Sequence, residues 1–299
     1  MSSQNSTQTA DPSSGDAEGF TFSLYHYTPS LAAAIAAIIV FTALTGYHVF
    51  LITRHRSWYF TAFTLGGLFQ TLGYAGRAWS HYDTTALGGY IIQAILILVA
   101  PALYAASIYM ILARLIRAIN GEPLSIIPVR WMTKIFVTGD VISFFLQGGG
   151  GGIQAGGTLD LYNLGEKIII VGLFVQIVIF SFFMVTTITF HVKVAKQPTS
   201  AAVSNTVAWQ RHLYVLYTTS ILILVRSIFR VIEYLQGNGG YLISHEAYLY
   251  IFDALLMVAV MAIFAIWYIG DLKHNSGQAK DVQSKNMRFM SLDIITLVA

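Results

Sequence analysis

Two arginines and a glutamate interrupt an apolar run that extends from about Leu213 to Leu235. Arg226, Arg230 and Glu233 are separated by four and three residues, so at ~100° per helical residue their side chains fall within roughly a 60° arc of one face. A charge near the middle of a membrane span costs at least ~2.5 kcal/mol and usually faces a partner or a wet cavity inside the protein. The stripe therefore predicts ion pairing or recognition of a charged ligand.

Three other apolar segments carry polar residues at the same spacing, so each group lies along one helix face. The groups are Gln70, Tyr74 and Arg77; Asp140, Ser143 and Gln147; and Glu246, Tyr250 and Asp253. Single amides, Gln93 and Gln176, lie in two further apolar segments. Together with the first stripe, these residues are the candidate substrate-binding site.

Composition indicates the elements that must position these residues. The chain of 299 residues is 56% hydrophobic and 10% charged, whereas soluble domains are roughly 25% charged. A stretch of about 20 apolar residues is long enough to cross a bilayer. Seven such spans are predicted, at about 29–52, 58–79, 90–113, 129–147, 167–190, 213–235 and 247–269. The predicted fold is all-α, a polytopic membrane protein in which residues 29–270 form one bundle of seven transmembrane helices.

The distribution of basic residues predicts the orientation of this bundle. Lys and Arg are concentrated after the first span, around the third and fifth loops, and in the carboxyl-terminal segment, and cytoplasmic loops hold such an excess. The amino terminus is therefore predicted outside and the carboxyl terminus in the cytoplasm. The same asymmetry explains the pI of about 9.0, so no nucleic-acid partner is needed.

The two ends of the chain are polar. Residues 1–28 are predicted to form a disordered exoplasmic segment, and residues 271–299 a cytoplasmic tail. Asn5, followed by Ser6 and Thr7, is a glycosylation acceptor on the side where glycosylation occurs, although a chance tripeptide explains it equally well.

Depth and charge leave two interpretations of the stripes. Counted from the predicted exoplasmic ends, Arg226 and Asp140 both lie roughly 14 Å inside, and all the stripes lie in the outer half. The charges of Arg77, Arg226 and Arg230 nearly cancel those of Asp140, Glu233 and Asp253. A buried salt-bridge network that only fixes helix register explains this pattern. An outward-opening, water-filled cavity for an amphiphile explains it too, and the number of polar groups at one depth favours the cavity.

Other chemistry has weak support. The absence of cysteine excludes disulfides and thiolate metal sites. His48, His191 and His212 lie near the cytoplasmic boundary without a paired motif, so we predict no metal site, no cofactor and no enzymatic activity. The glycines at 148–152 follow the fourth span, where such a run can line a cavity rim, act as a hinge or form a flexible loop. The missing donor of Pro101 suggests a kink in the third span.

The spaced motifs of this chain resemble those of the fungal lipid-translocating exporter family, the RTA-like proteins. The resemblance covers every predicted span and rests on several groups of residues. They include Gly73-Tyr74 with Arg77, Gln93 with Ala100-Pro101 and Tyr109, Phe136-Val137 with Asp140 and Gln147, Gly172-Leu173 with Gln176, Arg226 with Phe229-Arg230 and Glu233, and Glu246 with Tyr250 and Phe252-Asp253. At Gln70 the family pattern more often has Glu, and an amide cannot carry a proton.

The resemblance implies export or flipping of amphipathic lipids across the fungal plasma membrane, with a role in resistance to drugs and toxic lipids. The expected substrates are sphingoid long-chain bases, phospholipids or sterol-like toxicants, and the expected partners are membrane lipids. A sphingoid amine would pair with Asp140, Glu233 or Asp253, and a phosphate with Arg77, Arg226 or Arg230. The alternative is a seven-helix lipid sensor, a receptor-like regulator of the response to membrane stress, although the receptor patterns Asp-Arg-Tyr and Asn-Pro-x-x-Tyr are absent.

Overall fold

A computed structural model describes residues 29–82, 87–154, 156, 158–203, 208–236 and 241–268. All regular elements within these ranges are helices. Asn5 and the terminal segments 1–28 and 271–299 lie outside the described residues.

Long helices make up most of the described chain. They are α1 (Leu31–His55), α2 (Thr61–Tyr82), α3 (Leu87–Ala118), α4 (Val129–Gln154) and α5 (Leu159–Lys196), then α7 (Trp209–Leu235) and α9 (Glu246–Ile266). The one-turn helices α6 (Ser200–Val203) and α8 (Tyr241–Ser244) precede α7 and α9, and 3₁₀ turns at Trp58–Phe60 and Glu122–Leu124 precede α2 and α4. Within α9, Tyr250–Leu255 is π-helical.

Five of the long helices, α1, α3, α5, α7 and α9, have the length and apolar composition of a membrane span. The other two, α2 and α4, have 22 and 26 residues and pack between them, α2 against α1 and α3, and α4 against α3 and α5. Both contain several glycines and buried polar residues, which lower their hydropathy without shortening them.

The outer surface of the bundle is apolar and its interior holds polar groups. Large side chains such as Ile39, Phe145 and Val178 are exposed on the outside of the long helices. Arginine, aspartate and glutamine side chains are buried between the helices. A soluble protein rarely exposes a large contiguous apolar surface, whereas a lipid bilayer requires one. The chain is an integral membrane protein.

The order of the helices defines two ends of the bundle. Helix α9 packs against both α1 and α7, and α7 also packs against α3 and α5. At the Glu246 end of the bundle, α2, α4 and α7 end and α3, α5 and α9 begin. At the Arg54 end, α1, α3 and α5 end and α2, α4 and α7 begin. Of the five apolar helices, α3 is the most buried.

The glycines at 148–152 are part of α4, which continues to Gln154, whereas the span predicted from the sequence ends at Gln147. In lipid, a backbone that leaves the helix loses hydrogen bonds that no water replaces, so a helix persists there despite the poor propensity of glycine. The next helix, α5, begins at Leu159 and has 38 residues.

Close packing against α5 explains one of these glycines. A Cβ atom on Gly150 would lie 2.8 Å from the carbonyl oxygen of Gly165 and 2.9 Å from the amide nitrogen of Ile169. In contrast, Gly148, Gly149, Gly151 and Gly152 have no heavy atom within 4 Å of such a Cβ, apart from adjacent residues and the local helix backbone. Small residues allow two membrane helices to approach this closely.

We expect Gly150→Ala to lower the thermal unfolding midpoint in detergent, because the added methyl group meets backbone atoms of α5. Gly151→Ala is the matched control and should leave the midpoint unchanged or raise it, since alanine favours a helix over glycine by about 1 kcal/mol. Equal effects of the two substitutions would contradict the close α4–α5 contact at Gly150.

Candidate functional site

The most deeply buried ion pair joins α7 to the π-helical segment of α9. Arg226 Nε donates to Asp253 Oδ1 over 2.5 Å, and both side chains are 2% exposed. Charges removed from water to this extent depend on each other and on further hydrogen bonds, because desolvation costs several kcal/mol per ion. The position of α7 relative to α9 is therefore fixed by this contact.

A proline in α3 supplies the second acceptor for Arg226. Arg226 Nη2 donates to the backbone carbonyl of Ile97 over 3.2 Å. Ile97 lies four residues before Pro101, which has no N–H group to occupy that carbonyl within the helix. The proline thus releases an acceptor at the level of the buried guanidinium, and Arg226 connects α3, α7 and α9.

A second ion pair lies nearer the Glu246 end. Arg77 Nη2 donates to Glu246 Oε1 over 2.8 Å, and Arg77 Nε donates to the hydroxyl of Tyr250 over 3.2 Å. The Glu246 carboxylate also accepts the backbone N–H of Ser30, with distances of 2.9 and 3.0 Å to its two oxygens. Glu246 is 19% exposed, whereas Arg77 is 1% exposed. This cluster connects the start of α1 to α2 and α9.

The π-helical turn determines which partners the acidic residues of α9 reach. Tyr250 and Asp253 both lie within it, and Glu246 precedes it by one helical turn. A π-helical insertion changes the direction of the side chains along a helix, and such segments often occur at functional sites. Glu246 and Tyr250 contact Arg77, while Asp253 contacts Arg226.

The third pair lies within α7. Arg230 Nη1 donates to Glu233 Oε2 over 2.7 Å, and the guanidinium lies 5.3 Å from the centre of the Tyr234 ring. Both charged groups are more exposed than Arg226 and Asp253. Among the described residues, Arg230 Nε has no acceptor.

Several buried polar atoms on α2 and α9 have no hydrogen-bond partner within the described ranges. They are both amide atoms of Gln70, the hydroxyl of Tyr74 and Asp253 Oδ2. Gln70 and Tyr74 are 0% exposed and lie one turn apart on α2. The Tyr74 side chain is within electrostatic range of Asp253 and Arg226, and its ring stacks on that of Tyr250. We call Gln70, Tyr74 and Asp253 the unsatisfied cluster.

Asp140 lies away from the arginines. Its Oδ2 atom accepts a hydrogen bond of 3.0 Å from the hydroxyl of Tyr109, and its Oδ1 atom has no partner within the described part of the chain. Tyr109 follows Ile97 by twelve residues on α3, which corresponds to roughly 18 Å along the helix. Asp140 is therefore nearer the Arg54 end than Arg226, whereas counting from the predicted span ends puts them at one depth.

The remaining polar residues connect neighbouring helices. Ser143 Oγ donates to the carbonyl of Gly172 over 2.7 Å, and Gln147 Nε2 donates to Ser143 Oγ and to Gln176 Oε1 over 2.7 and 3.2 Å. These bonds join α4 to α5. Gln93 is buried in α3, where α2 passes close to its backbone at Gly76.

Apart from Gln93 and Asp140, the candidate residues form three groups. The first surrounds Arg77, Arg226 and the unsatisfied cluster, the second contains Arg230 and Glu233, and the third follows the α4–α5 interface. Four hydrogen-bonding groups that the candidate residues contact are outside the candidate set: the Ser30 amide, the Ile97 carbonyl, the Tyr109 hydroxyl and the Gly172 carbonyl. The position of Pro101 contained a signal for the Ile97 carbonyl, whereas no local pattern indicates the contact of Ser30 with α9.

Groups of three or more His, Cys, Asp or Glu side chains that could hold a metal ion are absent from the residues described.

Comparison with known proteins gives consistent matches over most of the chain. The family model described as "RTA1 like protein" matches residues 63–276. The chain is 37% identical to Protoporphyrin uptake protein 1 of Saccharomyces cerevisiae, covering 82% of this chain and 91% of that protein. It is 38% identical to Protein RTA1 of the same yeast, covering 82% and 84%. It is 27% identical to the yeast Sphingoid long-chain base transporter RSB1, covering 81% and 72%. No solved structure matches the chain.

The difference in burial between the ion pairs predicts a graded loss of stability. Asp253→Asn leaves Arg226 buried without its counter-charge and should lower the free energy of unfolding by about 3–5 kcal/mol. Glu246→Gln should cost less because its carboxylate is partly exposed, and Glu122→Gln, in an exposed pair with Arg117, should cost less than about 1 kcal/mol.

Denaturant unfolding in mixed micelles measures this order. Arg226→Met combined with Asp253→Leu should recover part of the loss, since neither charge then remains buried alone. If the double variant loses as much free energy of unfolding as Arg226→Met and Asp253→Leu lose together as single variants, the pairing itself is unimportant.

Proposed function

Because this chain belongs to the RTA1-like family of fungal membrane proteins, we propose that it moves amphipathic lipids across the plasma membrane. The proposed substrates are sphingoid long-chain bases, phospholipids or sterol-like toxicants. They pass through the helical bundle chemically unchanged, by way of a charged region that opens at the Glu246 end.

In this proposal all seven long helices cross the membrane. Basic residues, including Arg54, Arg114, Arg130 and Lys193, lie at or near the Arg54 end of the bundle. The positive-inside rule assigns that end to the cytoplasm, which leaves the amino terminus and the Glu246 end outside. The Arg77–Glu246 contact then lies near the outer surface, and the Arg226–Asp253 pair lies deeper along the same route.

The unsatisfied cluster is the observation that supports transport over a purely structural network. A network that only fixes helix register gains stability by satisfying each of its buried polar groups, and each unsatisfied group costs about 1–3 kcal/mol. The described side chains leave both amide atoms of Gln70, the Tyr74 hydroxyl and one Asp253 oxygen without a partner. Such groups suit a polar space that takes water or the head group of a passing amphiphile.

Two relatives have names that state an amphipathic cargo, a sphingoid long-chain base for RSB1 and protoporphyrin for the uptake protein. The first is cationic at its amine and the second anionic at its carboxylates. The bundle described here contains buried groups of both signs, and three arginines lie close to three acidic side chains. Mixed charge at the site therefore supports an amphiphile as the general class of cargo.

Gln70→Leu separates the two interpretations, because it replaces an unsatisfied amide by an apolar side chain of similar size. We expect transfer of a fluorescent sphingoid base between the leaflets of proteoliposomes to fall at least several-fold, while the thermal unfolding midpoint stays unchanged or rises. The matched control is Gln210→Leu at an exposed position, which should change neither quantity.

A loss of stability in Gln70→Leu with normal lipid transfer would favour a structural role for Gln70. Wild-type protein that binds the fluorescent base but moves none of it would overturn transport and favour the lipid sensor.

A further inference from the structure

Asp140 is a buried acid that none of the ion pairs involves. Asp140 is only 4% exposed. Among the described residues, the hydroxyl of Tyr109 is the one hydrogen-bond partner of its side chain. The second carboxyl oxygen, Oδ1, has none. The arginines of the site are already paired with Glu246, Asp253 and Glu233, so none of them compensates this carboxyl group.

The other titratable groups around Asp140 leave it without a counter-charge. On α3, Tyr109 contacts Asp140. The arginine of α3 that is nearest to Tyr109 in sequence is Arg114, and its guanidinium lies 4.1 Å from the centre of the Tyr59 ring. The charged residues of α5 are near its two ends, at 160–167 and 193–196, while its middle packs on α4. On α4 itself, Lys134 precedes Asp140 by six residues and lies over the ring of Trp131.

Apolar rings close the space next to this acid. The Tyr109 ring lies 5.3 Å from that of Phe136 on α4 and 4.6 Å from that of Phe183 on α5, measured between centroids. All three residues are 0% exposed. An ionised carboxylate in such surroundings carries a desolvation penalty of several kcal/mol, and binding a proton removes the charge.

We propose that Asp140 is a proton-binding site, and that release and rebinding of its proton accompany the movement of the lipid. This proposal rests on the proposed transport function. In the conformation described here the carboxyl group is neutral, its proton is held by one carboxyl oxygen, and Tyr109 donates to Oδ2. Separation of α3, α4 and α5 during transport admits water, the O–H bond of the acid breaks, and the proton passes to that water. Closure of the helices requires the carboxylate to take up a proton again.

A proton suits this site better than an organic cation. The site is enclosed by side chains that pack in ring-to-ring contact, and an ammonium head group would have to separate several of them. A proton needs only a transient chain of water. Gln70 is an amide and cannot bind and release a proton near neutral pH. Asp140 is the buried acid that has no counter-charge among the described residues.

Infrared difference spectroscopy of the purified protein in lipid nanodiscs tests the site without any transport measurement. The wild type at neutral pH should show a protonated carboxylic-acid band that is lost in Asp140→Asn. Tyr109→Phe should keep this band and shift it, because the carbonyl of the acid loses a hydrogen-bond donor. The control Glu122→Gln, at an exposed carboxylate, should leave the band unchanged. If the wild type and Asp140→Asn give the same band, Asp140 is ionised and the proposal is wrong.

Proteoliposomes then test the coupling. An imposed pH gradient should change the rate of sphingoid-base transfer several-fold in the wild type and in Glu122→Gln, and have no effect in Asp140→Asn. A carboxylic-acid band together with gradient-independent transfer would make Asp140 a structural neutral acid and overturn the coupling. Absence of any transfer by the wild type would instead refute the proposed transport function, and the infrared result would still decide the protonation of Asp140. Should Asp140→Asn fail to fold, the band shift in Tyr109→Phe decides the same question.

Discussion

The low dielectric of a membrane interior requires each buried charge to find a partner, and the arrangement of these helices follows from this requirement. Arg226 illustrates it most fully. Its guanidinium reaches Asp253 on α9 and a carbonyl on α3 that Pro101 has left free. One side chain thereby fixes three helices, and the π-helical turn of α9 brings the aspartate into position. The Arg77–Glu246 contact does the same nearer the Glu246 end, where it also holds the start of α1.

Much of this arrangement could be predicted from residue spacing. Offsets of three and four identified the buried faces of α2, α4, α7 and α9, and the hydropathy pattern identified the helices themselves. The spacing did not reveal the pairing of Arg77 with Glu246, since partners on different helices depend on the packing of the whole bundle. The sequence also did not reveal that the glycines at 148–152 are helical. The low helix propensity of glycine opposes a helix there, and only the lipid environment favours it. The seven additional residues of α4 explain why counting from the predicted span ends gives Asp140 the wrong depth.

The surroundings of Arg226 and those of Asp140 differ in how far their polar groups are hydrogen-bonded and in what encloses them. Around Arg226 the side chains offer more donors and acceptors than they use among themselves, which suits a route for water and polar head groups. Around Asp140 a single polar contact is enclosed by aromatic rings. A transporter that moves an amphiphile needs both properties, since the head group must be solvated along the route while the bundle remains closed to leakage elsewhere. The two environments contact α3 at Ile97 and at Tyr109, which are roughly 18 Å apart along the helix, so a rotation or shift of α3 would affect both.

The four glycines of α4 that face open space form a shallow groove on the outer surface of the protein. At Gly148, Gly149, Gly151 and Gly152 no side chain projects, so the helix is narrower there by the thickness of a side chain. Acyl chains of the surrounding bilayer can lie directly against this bare stretch of backbone. The indentation is level with the last two turns of α4 at the Glu246 end, so a neighbouring acyl chain can lie closer to the axis of α4 there than along the rest of the helix.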